Sequence, residues 1–169
     1  MAKEVRIAQF FAVPQAEIRA ALTDEGFLRR RAELSGGRDV TVTVTTDERG
    51  QTTTVVHRRL PAEVPAFARG LVSDAIDLTE EQEWQPMTGA GCTSTFSARF
   101  SAPMSATGTI ELRPEGSGGA RLLSHVILRA SVPLIGGKLE SLVAEQTQRY
   151  LEFTKELLDG EFPSSSPSS

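Results

Sequence analysis

Two hydrophobic periods divide the chain. Between residues 40 and 130 apolar positions recur every second residue, and beyond Pro133 they recur every third or fourth. A period of two sends successive side chains to opposite faces of a strand, whereas steps of three and four line one face of a helix. The opening segment, residues 3–11, also alternates: Val5, Ile7 and Phe11 share a face with Gln9, while Glu4 and Arg6 lie opposite. Pro14 ends that strand and suits the first turn of a short helix over 14–22, with Ile18, Ala21 and Leu22 as its apolar stripe. Thr23 or Asp24 can cap a second short helix over 25–32 that buries Phe27 and Leu28, before Ser35-Gly36-Gly37 breaks the pattern.

Val40, Val42 and Val44 then alternate with Thr41, Thr43 and Thr45, a half-buried strand. A turn at 47–50 leads into a return strand over 51–60. Residues 61–70 hold two prolines and predict a loop with one helical turn at 65–68. Four further strands follow. The segment 74–84 carries Ile76, Leu78 and Trp84 on one face, with Asp77, Glu81 and Glu83 on the other. The segments 92–101, 106–113 and 120–130 present Phe96, Ala98 and Phe100, then Gly108, Ile110 and Leu112, then Leu122, Val126 and Leu128. Last comes a helix of about six to seven turns, its stripe formed by Ile135, Leu139, Leu142, Gln146, Tyr150, Phe153 and Leu157 and widened by Val143, Leu151, Thr154 and Leu158. Strands joined by turns pair antiparallel, and one amphipathic helix must cover one apolar sheet face. The expected class is therefore α+β, with two short helices after the first strand and a mainly antiparallel sheet of about seven strands.

Composition narrows the function. With 169 residues, 39% hydrophobic and 24% charged, the chain suits one soluble domain, expected over 3–159. The Ser/Pro-rich segment 160–169 buries too little to offset its ordering entropy and is expected to be a disordered tail. A formal charge of −4 provides no basic excess for nucleic acid. No apolar run approaches the ~20 residues that span a bilayer, and the first residues lack a signal peptide's apolar core. The expectation is a cytoplasmic protein without stable membrane insertion. Cys92 is the single cysteine, so no intrachain disulfide can form, and no metal or cofactor is expected.

The order of elements resembles the helix-grip fold of the START-like (SRPBCC) superfamily. The resemblance rests on the opening strand running at once into Val13-Pro14 and a helix pair, and on the last strand running through Ser131-Val132-Pro133-Leu134-Ile135-Gly136-Gly137 into the closing helix. In overall pattern it is closest to an actinobacterial group of unknown function. The resemblance implies a curved sheet wrapped around the C-terminal helix, with an apolar cavity between them that side chains either leave open or fill. Polyketide cyclases and lipid-transfer domains share that fold, and none of the quoted motifs is catalytic.

The candidate cavity-lining residues are His57, Trp84, Phe96, Ala98, Phe100, Gly108, Ile110, Ser124, Val126, Leu139, Leu142, Val143, Gln146 and Tyr150. Mixed apolar and small residues with a few polar tips suit a small-molecule pocket, and equally a packed core. The orientation of His57 depends on the 47–50 turn. If all four residues are loop, His57 points inward; if Gly50 makes a bulge, parity shifts and Val56 and Arg58 point inward instead. His125 shares a face with Arg129, so it belongs outside. Gln146 and Tyr150, one helical turn apart, form the best-placed polar pair for a ligand oxygen. Cys92 lacks an activating base, and Arg29-Arg30-Arg31, Arg58-Arg59 and the Glu81/Glu83 face are expected at the surface or rim. No catalytic residue is assigned. The leading expectation is binding or transport of a small apolar molecule, such as a lipid, an isoprenoid or a polyketide. The alternatives are a polyketide cyclase or dehydratase with His57 or Tyr150 as its ionisable group, and a protein-interaction module.

Overall fold

The structure is a computed structural model, and it describes residues 2–162. Ten residues of extended chain, β1 (Ala2–Phe11), lead into α1 (Gln15–Leu22) and α2 (Glu25–Leu34). Six strands follow: β2 (Arg38–Thr46), β3 (Thr52–Pro61), β4 (Ala75–Trp84), β5 (Cys92–Phe100), β6 (Met104–Glu115) and β7 (Gly119–Ala130). A 3-10 helix, Ala66–Leu71, interrupts the β3–β4 connection, and the long helix α3 (Gly136–Glu161) closes the domain. Asp24 is the cap of α2, its Oδ2 accepting from the Phe27 N–H at 2.8 Å. Thr23 instead donates its hydroxyl back to the Arg19 carbonyl.

All seven strands form one antiparallel sheet in the order β1-β7-β6-β5-β4-β3-β2. The helix pair α1–α2 carries the chain from one sheet edge to the other, and five successive antiparallel connections bring it back to β1. The concave face carries the alternate residues expected from the sequence, and α3 packs across it against β1 and β7. Contact there is close: Gln9 on β1 donates its Nε2 to the Leu151 carbonyl of α3 at 3.0 Å.

Gly108 shows how tightly the concave face is built. A Cβ at this position would overlap the backbone carbonyl oxygen of His125 and come within 2.6 Å of the Phe96 ring. The ring lies where a side chain would otherwise stand. Gly108→Ala is therefore expected to lower stability by about 1–3 kcal/mol, because a backbone oxygen cannot swing aside. Thr107→Ala, one residue away on the exposed face, is expected to change stability by no more than about 0.5 kcal/mol. Urea denaturation of the two variants checks the contrast.

The helix runs past the expected domain limit at Asp159. Gly160 and Glu161 are helical, Glu161 pairs with Arg30 of α2, and Phe162 packs on the core. Residues 163–169 of the expected tail lie outside the described residues.

Candidate functional site

The apolar interior forms two clusters rather than one. One gathers Phe27, Leu28, Trp84, Leu112 and Leu158 under α1 and α2. The other gathers Val5, Leu78, Ala98, Leu128 and Leu139 under the start of α3 and the 3-10 helix. A single domain usually has one contiguous core. Here buried polar side chains run between the two, and they come from alternation already visible in the strands.

On β4 the period of two that buries Leu78 and Trp84 also turns Glu80 and Gln82 inward. Glu80 lies between Val56 of β3 and Ala98 of β5, and Gln82 lies between Thr54 and Phe96. On β3 the loop between strands decides the register. Thr46 pairs with Thr52, and the Asp47 carboxylate accepts the backbone N–H groups of Arg49 and Gln51. Gly50 takes φ 86°, the left-handed region that glycine enters without strain. That parity is the second of the two registers considered: it directs Val56 and Arg58 inward and His57 outward. His57 is therefore no cavity residue. Its Nδ1 lies 3.0 Å from Thr79 Oγ1 and its Nε2 3.8 Å from Asp77 Oδ1, both on the outer face.

Three charged side chains meet inside. Arg58, 5% exposed, donates from Nη1 to the Tyr150 hydroxyl and from Nη2 to Glu80 Oε1, each at 3.0 Å. Arg31 of α2, 7% exposed, brings Nη2 within 3.9 Å of Glu80 Oε2. The two guanidinium carbons lie 4.7 Å and 5.1 Å from the centre of the Tyr150 ring. Burial disfavours the charge on Arg58, but the Glu80 carboxylate and the Tyr150 phenol outweigh it and hold its pKa well above the ordinary arginine value. Both arginines were expected at the surface or rim; they form the polar centre of the interior.

Other donors in this interior have no partner among the described residues. They are the Nε of Arg31 and of Arg58, the Ser124 hydroxyl and the Trp84 indole N–H. A buried donor without a partner costs about 1–3 kcal/mol, so such groups call for water or a bound molecule.

The remaining expected positions divide. Trp84 is fully buried in the first cluster, and Ile110 packs against it. Ala98, Val126 and Leu139 belong to the second cluster, with Phe96, Phe100 and Val143 packed on its margin. Tyr150 is half-buried and reaches Arg58. Gln146 is exposed, and Leu142 is half-buried outside both clusters. The expected Gln146–Tyr150 pair does not form, because α3 is rotated about its axis. Glu140, expected off the stripe, is buried and accepts the Ala130 N–H at 3.0 Å, and Ala144 and Thr154 face inward with it. The polar partner of Tyr150 is Arg58. Cys92 is buried, and burial pushes its thiol pKa up while Arg19 partly opposes the shift. Among the described residues no group of three or more His, Cys, Asp or Glu is placed to hold a metal ion.

Two open clefts lie elsewhere. One of about 350 Å³ runs between α1, α2 and the end of α3, beside Asp24 and Phe162. Another of about 520 Å³ follows the free edge of β1 beside Lys155 and Asp159 of α3. Neither is lined by the Arg–Glu–Arg cluster. No helix among the described residues is long and apolar enough to cross a membrane.

Comparison with solved structures identifies the architecture. An aromatase/cyclase from Streptomyces superimposes with a TM-score of 0.65 at 11% identity, over 95% of this chain and 93% of that one. Norcoclaurine synthase from Thalictrum flavum, in complex with dopamine and hydroxybenzaldehyde, gives 0.62 at 10% identity over 98% and 90%. A Thermus thermophilus protein gives 0.60 at 20% identity over 94% and 95%. All share the helix-grip architecture, and identities this low establish the fold alone. Uncharacterised proteins of Mycobacterium tuberculosis and Mycobacterium bovis are 35% identical over 89 residues, 52% of this chain and 49% of theirs. The chain thus matches about half the length of these curated relatives. The model of one family spans residues 7–159, nearly the whole described fold. On that match the chain belongs to the family described as protein of unknown function (DUF2505), and its fold is the helix-grip fold.

Proposed function

We propose that the chain binds a small, largely apolar molecule between α3 and the β3–β5 side of the sheet. The observation that carries this reading is the division of the interior into two apolar clusters separated by buried polar groups, some without protein partners. An ordinary core would be continuous, and its buried donors would find partners in the protein or in ordered water. The helix packs on β1 and β7, whereas inner residues farther across the sheet, Gln82 and Phe96 among them, are only half-buried. Apolar side chains on either side would desolvate the guest at ~25 cal/mol per Å², and the polar groups would orient it. The 3-10 helix closes one end by seating Ala68 on the second cluster, so entry requires the 61–72 segment to move.

Titration with N-phenyl-1-naphthylamine, an uncharged apolar fluorophore, tests the reading. A saturable blue-shifted signal with one site per chain is expected, together with native mass spectrometry showing an apolar passenger on freshly purified protein. A fluorescence rise that never saturates, with no passenger, would overturn it.

An enzymatic role rests on a narrower base. The aromatase/cyclase and norcoclaurine synthase neighbours are enzymes by name. Of the two ionisable groups considered for such chemistry, His57 is outside and Tyr150 alone reaches the interior.

A further inference from the structure

We propose that the molecule held in this interior is an apolar monoanion, a fatty or aryl carboxylic acid whose carboxylate is received by Arg31 and the Tyr150 hydroxyl. The inference deepens the binding reading above and rests on it.

Charge balance leads to the anion. Arginine stays protonated in proteins, so Arg31 and Arg58 bring two cations to a single carboxylate, Glu80. Arg58 is fully engaged on one side: it spends its two terminal nitrogens on Tyr150 and Glu80. Arg31 is not. Among the described residues it makes no side-chain hydrogen bond, and its nearest carboxylate oxygen, at 3.9 Å, is beyond hydrogen-bond distance. Its Nε is buried without a partner among the described residues. A side chain only 8% exposed and left with a distant share of one carboxylate carries an unmatched charge, and such charges are stable only when paired.

Donor geometry leads to the carboxylate. Arg31 offers a planar fork that matches two oxygens at once. The Tyr150 oxygen accepts from Arg58, which leaves its own O–H free to donate. Both donors border the same ring, with Arg31 stacked 5.1 Å from its centre. The surplus is a single positive charge, which one carboxylate neutralises. Beside this centre, Arg58 pairs across the strands with Leu78, a member of the second cluster, so apolar side chains adjoin the charged groups.

Displacement of N-phenyl-1-naphthylamine by decanoate, decanol and decylammonium at neutral pH tests the head group on one carbon skeleton. Decanoate is expected to compete at a concentration about ten-fold lower than decanol, with decylammonium weakest, in line with a charge-assisted hydrogen bond. Arg31→Met is expected to bring decanoate to the level of decanol, and Arg31→Lys to keep part of the preference. Equal displacement by all three molecules in the unaltered protein would overturn the anion while leaving apolar binding in place. Failure of the fluorophore itself to bind would overturn the underlying reading instead. If Arg31→Met does not fold, the comparison in the unaltered protein decides alone.

Discussion

Glu80→Ala is expected to lower the stability of the fold by about 3–5 kcal/mol, because it strands two buried guanidinium groups at once. For a domain of this size that corresponds to a fall of about 6–20 °C in Tm. Glu80 is the only carboxylate within 4 Å of Arg31 and Arg58 among the described residues, and the two arginine side chains are 8% and 6% exposed. Glu83→Ala provides the contrast. Glu83 is on the same strand, but its parity points it outward, and its removal is expected to change stability by about 0.5 kcal/mol or less. Urea denaturation of both variants measures the difference. A loss below about 1 kcal/mol for Glu80→Ala would mean that solvent already reaches the cluster, as it does at exposed ion pairs.

The expected importance of Glu80 bears on what the sequence could reveal. The strands, the two short helices and the long helix were legible because their hydrophobic periods are strong and their turns carry Gly and Pro. The curvature and the position of α3 followed from a resemblance in element order. The site was harder to see for four separate reasons. The alternation that buries Leu78 and Trp84 places Glu80 and Gln82 on the same face, but a charged residue within a Glu-rich run suggests solvent, and only a partner on another strand can reverse that. Arg31 follows Phe27 by four residues and Leu28 by three, so the helical stripe of α2 already contained it. Its position within a run of three arginines hid the spacing. His57 depended on one residue of loop parity, which the Asp47 side chain and Gly50 settle locally. Gln146 failed for a non-local reason: the rotation of α3 is fixed by Glu140 reaching the end of β7 and by the Gln9 contact with Leu151, neither of which leaves a periodic trace.

Replacing the whole cluster separates its structural cost from its use. The variant carrying Arg31→Met, Arg58→Met and Glu80→Leu is expected to be at least as stable as the unaltered protein, by up to about 4 kcal/mol, although Glu80→Ala alone is strongly destabilising. The reason is the desolvation term. Three charged groups lose their hydration on folding, and their mutual attraction returns only part of it, since Arg31 keeps a distant contact and two Nε groups stay unpaired. Apolar side chains of similar volume pay no such penalty and would join the two apolar clusters into one. The same variant is expected to bind decanoate no better than decanol. A protein that gains stability while losing the preference for an acid carries its Arg–Glu–Arg cluster for recognition rather than for folding. A triple variant as unstable as Glu80→Ala would reverse that conclusion and make the cluster a structural strut between β3, β4 and α2.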